Sequence, residues 1–193
     1  MRPLVALLSA AALVTMIVVG LSQAGRGEQP ATEPAPFDLA QAKQRLQGAP
    51  PPLADLHEQA NLLLATNEFQ PRVDRLEGTP VVINKWASWC GPCRAEFPIF
   101  QRVATERGKD VAFLGLNAAD KRPAAERFLA ERPLPYPSYD DPDEDIASDL
   151  RAAKYFPMTV LLDRRGEIEF VKAGEYRSDA ELNADIDRYL RLG

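Results

Sequence analysis

VVINKWASWCGPCRAEFP, residues 81–98, runs a strand pattern into a helix start that carries both cysteines of the chain. Val81–Ala87 is a short apolar, β-branched run and reads as a buried strand. From Pro92 to about Arg107 the pattern is helical, and Pro92 suits the first helical turn, where its missing N–H costs nothing. Cys90 and Cys93, three apart at a helix start, can approach closely enough for a disulfide. Unpaired backbone N–H groups and the positive end of the helix dipole there stabilise a thiolate at Cys90. Cys93, one turn inside, is the shielded partner. This pairing suits thiol–disulfide exchange, in which Cys90 attacks a disulfide and Cys93 then attacks Cys90. Two other readings stand beside it. A purely structural disulfide closes too small a loop to stabilise much, and half of a zinc site lacks its remaining ligands.

Outward from this stretch the chain alternates strand and helix. Val111–Asn117 (VAFLGLN) is a second buried strand and Arg122–Arg132 a helix. A loop with Pro133, Pro135 and Pro137 follows, then a helix over Asp143–Ala153. After Pro157, strands over Met158–Asp163 and Glu167–Ala173 are joined by Arg164-Arg165-Gly166, which is hairpin chemistry. Ser178-Asp179-Ala180-Glu181 is a capping box that opens the last helix. Such alternation implies a mainly parallel sheet with helices on its faces. Upstream, Asp38–Gln47 and Leu53–Thr66 read as helices around Gly48-Ala49-Pro50-Pro51-Pro52. The second of them has Leu53, Leu56, Ala60, Leu63 and Leu64 on one face. His57, on that helix and remote from the cysteines in sequence, reads as a surface or packing residue.

The whole chain has 193 residues, two cysteines and one histidine, with 23 basic and 28 acidic side chains for a net charge of −5. That length allows one ordinary domain with appendages, and 46% hydrophobic residues suffice for a core. A disulfide framework is excluded. Nucleic acid is disfavoured by the acidic balance. Met1-Arg2-Pro3 is a short basic start, and Leu4–Leu21 then runs uncharged. As a helix that run is about 27 Å long, close to a bilayer core of about 30 Å. Its length favours an uncleaved membrane anchor, whereas small Ser22 and Ala24 favour a signal peptide cut at about Ala24. Either way the rest acts outside the cytoplasm, on the cell membrane as a single-pass protein or secreted. The resulting division is 1–24 signal anchor or signal peptide, 25–36 flexible Pro-rich tether, 37–75 helical N-terminal extension and 76–193 the α/β domain.

Residues 79–193 resemble a thioredoxin-fold domain, and WCGPCRAEFP at 89–98, Pro98 included, resembles the exported TlpA/ResA-like thiol–disulfide oxidoreductases. Around the motif, the preceding strand, Pro98 and the segment Tyr155-Phe156-Pro157-Met158-Thr159 are also similar to that family, the last to its cis-proline segment. The resemblance implies a thioredoxin-like α/β fold, a central mixed sheet flanked by helices, behind an N-terminal transmembrane or signal helix and a short helical preface. It implies Cys90, Cys93, Glu96 and Pro157 as the catalytic set. Trp89, Gly91, Pro92 and Phe156 follow as the substrate-binding surface, with the Phe156 backbone bonding an extended client strand.

Asn84 departs from the cytoplasmic thioredoxins, which carry a buried aspartate six residues before the first cysteine. Glu96, three residues past Cys93 on the same helical face, matches the acidic residue of the ResA-like motif. Its implied role is to accept the Cys93 proton, with partial burial raising its pKa; a solvated helix glutamate is the alternative. Lys85, in an otherwise apolar strand, reads as half of a buried ion pair, and Trp86 as core. Asp120–Tyr139 sits where TlpA-like proteins carry an insert.

The function implied is that of an extracytoplasmic thiol–disulfide oxidoreductase. The Gly-Pro dipeptide between the cysteines, similar to that of thioredoxin, points to a reductase. It needs no cofactor beyond the Cys90–Cys93 pair and no metal. Its partners are exported protein disulfides, apocytochrome c among them, and a membrane electron donor of the thiol-transfer type; the protein itself is expected to be a monomer. The alternative from another class is an exported copper chaperone on a thioredoxin scaffold. Proteins resembling Sco pair two cysteines with a distant histidine, and here none follows His57.

Overall fold

A computed structural model of the protein describes residues 36–190. The expected signal segment 1–24 and the tether up to residue 35 lie outside the described residues. Among the described residues, no helix is long and apolar enough to cross a membrane.

Six strands form one mixed sheet: β1 (Leu63–Leu64), β2 (Val81–Trp86), β3 (Ala112–Ala118), β4 (Ser138–Asp141), β5 (Met158–Leu162) and β6 (Ile168–Ala173). Their order is β1-β4-β3-β2-β5-β6. β1, β4, β3 and β2 are parallel, while β5 and β6 add antiparallel. The helices are α1 (Leu39–Leu46), α2 (Pro51–Glu58), α3 (Phe69–Arg75), α4 (Gly91–Arg107), α5 (Arg122–Glu131), α6 (Asp145–Asp149) and α7 (Asp179–Leu190). All six β2 residues are buried, as a strand covered on both faces must be. Its alternation feeds two cores. Val82 and Trp86 pack with residues of α4, α5 and α7. Val81 and Ile83 pack with residues of α2, α3 and α6. The cysteine helix therefore starts from the end of a central strand paired on both edges.

The structure departs from the sequence expectations in the preface and the insert. The helix expected over Leu53–Thr66 stops at Glu58, and Leu63–Leu64 instead forms the edge strand β1. Past the C-cap residue Gln59, Asn61 takes a positive φ of 67°. Its backbone N–H donates to Tyr136 O (3.0 Å), its Nδ2 donates to Leu129 O (3.3 Å), and its Oδ1 accepts from Leu134 N (2.9 Å). Asparagine tolerates this left-handed geometry, and its amide ties the preface to the insert. Within the insert, β4 follows the three prolines directly. A four-residue strand so flanked has too little alternation to be read. The α3 helix lies within the helical extension expected over 37–75 but matches neither of the two helices placed there, and the helix expected over Asp143–Ala153 shortens to α6.

Gly115 on β3 is needed for close approach. A Cβ there would stand 2.1 Å from Ser138 Oγ and 3.0 Å from Trp86 Nε1, the two atoms that join in a 3.2 Å hydrogen bond. Gly115→Ala is expected to cost about 3 kcal/mol, by overpacking and loss of that bond. Urea unfolding should show a lower midpoint with an unchanged slope.

Candidate active site

Past Trp86 the chain leaves the sheet, turns through Ala87–Trp89 and enters α4 with Cys90 as the N-cap. Cys90 is extended (φ −82°, ψ 110°), and its sulfur accepts the Cys93 N–H at 3.1 Å. The two cysteines form a disulfide with their Cα atoms 5.3 Å apart. Both are buried in this state: Cys93 has no exposure and Cys90 only 3%. The expected difference in access is therefore small while the bond is closed. The sulfur at the N-cap sits where unpaired N–H groups and the helix dipole favour negative charge, so reduction leaves the easier thiolate at Cys90.

The turn is braced by residues the sequence reading did not single out. Asp120, just past β3, accepts from Ser88 N (2.5 Å), Ser88 Oγ (2.9 Å), Asn117 Nδ2 (3.1 Å) and Lys121 N (2.7 Å). Burial works against its charge, but these bonds outweigh it and hold the carboxyl below its ordinary range. Arg94 donates to Ser88 O at 2.6 Å, and Trp89 Nε1 to Ala119 O at 3.0 Å. The signal available was a lone acidic residue just past the end of a buried strand.

Aromatic side chains are accessible at Trp89, the neighbour of Cys90, and at Tyr155, in the cis-proline segment. Trp89 is 58% exposed and Tyr155 61%, Gly91 and Pro92 are exposed, and Phe156 is half-buried. The Phe156 ring stands 4.9 Å from that of Trp89. The Phe156–Pro157 peptide is cis, and Pro157 is buried. Trp86 is core, with its ring 5.3 Å from those of Phe97 and Phe128.

Glu96 is fully buried, where the sequence suggested partial burial. Its Oε1 accepts from Asn84 Nδ2 at 2.7 Å and its Oε2 from the Tyr176 N–H at 3.0 Å. Desolvation dominates and pushes its pKa up to about 8, although both hydrogen bonds and Lys172 pull the other way. The helical offset of three puts it on the Cys93 face of α4. Asn84, the position that departs from cytoplasmic thioredoxins, thus donates to the buried Glu96 carboxyl. Asn84 Oδ1 and, across the β2–β5 pair, Thr159 Oγ1 are buried without a protein partner.

A redoxin family model matches residues 58–186. The chain belongs to the redoxin family. Within it, this redoxin groups with the DsbE- and ResA-type thiol–disulfide oxidoreductases of the thioredoxin superfamily. It is 32% identical over 140 residues to the thiol:disulfide interchange protein DsbE of Haemophilus influenzae, covering 72% of each chain. It is 38% identical over 94 residues to the DsbE of Pseudomonas fluorescens biotype C, covering 48% of this chain and 51% of that one. The chain spans about half the length of several curated relatives it matches. Among solved structures, a secreted thiol-disulfide isomerase from Corynebacterium glutamicum is 29% identical with a TM-score of 0.54, over 62% of this chain and 74% of that one.

In this redoxin His57 is buried on α2, which lowers its pKa, and its Nδ1 has no partner. Among the described residues, no three His, Cys, Asp or Glu side chains gather as a metal site. The names of the relatives favour thiol exchange over copper carriage. Lys85 does form an ion pair, with Glu144.

Proposed function

We propose that this redoxin is an extracytoplasmic protein-disulfide reductase. The carrying observation is the redox pair at a helix N-cap, neighboured by accessible Trp89 and backed by a buried acid. The reduced Cys90 thiolate attacks one sulfur of a client disulfide, forming a mixed disulfide and expelling the other client sulfur as a thiolate. Glu96 takes the Cys93 proton. The Cys93 thiolate attacks Cys90 Sγ, closing the Cys90–Cys93 bond and releasing the second client thiolate. Two electrons pass to the client, and the closed pair is the product state. Trp89, Gly91, Pro92 and the Phe156–Pro157 segment receive the client as an extended strand; among the described residues the Phe156 backbone has no hydrogen-bond partner.

The Gly91-Pro92 dipeptide supports the reducing direction. Residues 1–24, as anchor or signal, and the tether 25–36 support action outside the cytoplasm, as does the secreted Corynebacterium neighbour. Clients are exported protein disulfides, with apocytochrome c cysteines as the favoured case. A membrane thiol-transfer donor restores the pair, and the protein acts as a monomer. The full chain, reduced with a dithiol, should reduce insulin disulfides catalytically, read as B-chain precipitation against a donor-only control. A rate no faster than donor alone, with both thiols titratable, overturns the reading.

A further inference from the structure

We propose that Lys85 is a positioning residue for client docking, holding the Ala152–Phe156 loop so that the cis-proline segment presents its backbone beside Cys90; the role rests on the reductase reading above. Lys85 is 1% exposed on β2, directly opposite Met158, the residue after Pro157. Its ammonium donates to Ala152 O (2.9 Å), Ala153 O (3.2 Å) and Tyr155 O (3.3 Å) and pairs with the Glu144 carboxylate. It also stands 3.8 Å from the Phe156 ring centroid. That ring in turn packs on exposed Trp89, the neighbour of Cys90.

A charge buried on an apolar strand is costly unless its partners converge on it. Packing alone needs no charge here, since methionine has a similar length. What the ammonium adds is direction. Several carbonyls from one short loop must face a single point, which sets the path of the loop and the stance of the Phe156 peptide and ring. The loop needs such a hold. Glu144 and Arg151, on either side of α6, both take left-handed backbone (φ 60° and 59°) without being glycine. Lys85 grips both sides, through the Glu144 side chain and the Ala152 carbonyl.

The test uses the full chain with Lys85→Met and two substrates. With a disulfide-bonded peptide, KM should rise about tenfold while kcat changes less than threefold. With 5,5′-dithiobis(2-nitrobenzoate), which needs no strand docking, the second-order rate should change less than threefold. Lys85→Arg, which keeps the charge, should bring the peptide KM back to within about threefold of the unmodified protein. An unchanged peptide KM, or an equal loss with both substrates, overturns the role. If Lys85→Met does not fold, Glu144→Gln reads the same hold from a partly exposed side chain. A threefold rise in peptide KM is expected there, and no rise overturns the role. Limited trypsin cleavage after exposed Lys154 reads the loop without activity. About tenfold faster cutting in Lys85→Met is expected, and equal cutting overturns the role even if the unmodified protein reduces no disulfide and the reductase reading fails.

Discussion

A reduced Cys93→Ser variant is expected to accumulate a covalent adduct between Cys90 and its client, stable until a thiol is added, whereas Cys90→Ser captures nothing. The asymmetry follows from the positions of the two sulfurs. Cys90 is the N-cap of a 17-residue helix and accepts an N–H from inside the first turn, so its thiolate is the stabilised one. Cys93 lies one turn inside that helix and attacks only Cys90 Sγ, after the mixed disulfide has formed. Both variants should lose turnover by roughly three orders of magnitude or more, since each removes a bond-forming sulfur. Non-reducing electrophoresis and mass spectrometry of the adduct separate them. Equal trapping by the two variants would sink the assignment of Cys90 as the attacking thiol. Applied to whole cell envelopes, the same trap names the client.

Glu96→Gln should change stability and catalysis in opposite directions. Burial lifts the Glu96 pKa from its ordinary 4.5 to about 8, so the folded protein holds a proton that the unfolded chain releases above pH 4.5. The stability from this group is complete below pH 4.5 and drains away as pH rises to about 8. Over that window of about 3.5 pH units, at ~1.36 kcal/mol each, the unmodified protein loses about 5 kcal/mol. Glutamine keeps an acceptor for the Tyr176 N–H. A flip of the Asn84 amide brings its unpaired Oδ1 toward the new NH2 group. Urea unfolding at pH 5 and pH 8.5 should show near-equal stability at the lower pH and a variant several kcal/mol more stable at the higher. Disulfide reduction should meanwhile slow about a hundredfold, because the amide cannot accept the Cys93 proton. A variant whose stability tracks the unmodified protein across that range would mean that Glu96 titrates normally.

Much of the site was legible before the fold was known, because its signals are local. The strand before the cysteines, the helix after them, their spacing and Pro157 all lie in short windows. The roles of Glu96 and Pro157 follow from the resemblance of short motifs to the TlpA/ResA-like family, that of Glu96 also from its offset of three from Cys93 along one helix. The rest of the site was hidden by distance in sequence. Asp120 meets the Ser88 turn from 32 residues away, and the Tyr176 N–H meets Glu96 from 80. Lys85 could be seen as misplaced in an apolar strand, but its acceptors lie 59 to 70 residues downstream. In the fold, β1 and β4 were missed because strands of two and four residues carry too little periodicity.

By itself the sequence determined the alternating α/β order, the redox pair and its place at a helix start, since hydrophobic period, proline position and cysteine spacing act within a few residues of one another. Only the tertiary structure decided which side chains surround that pair. Full desolvation of Glu96, the brace on Ser88 and the converging carbonyls at Lys85 exist because distant segments are brought together by packing, and a group's charge state and orientation depend on what packs against it.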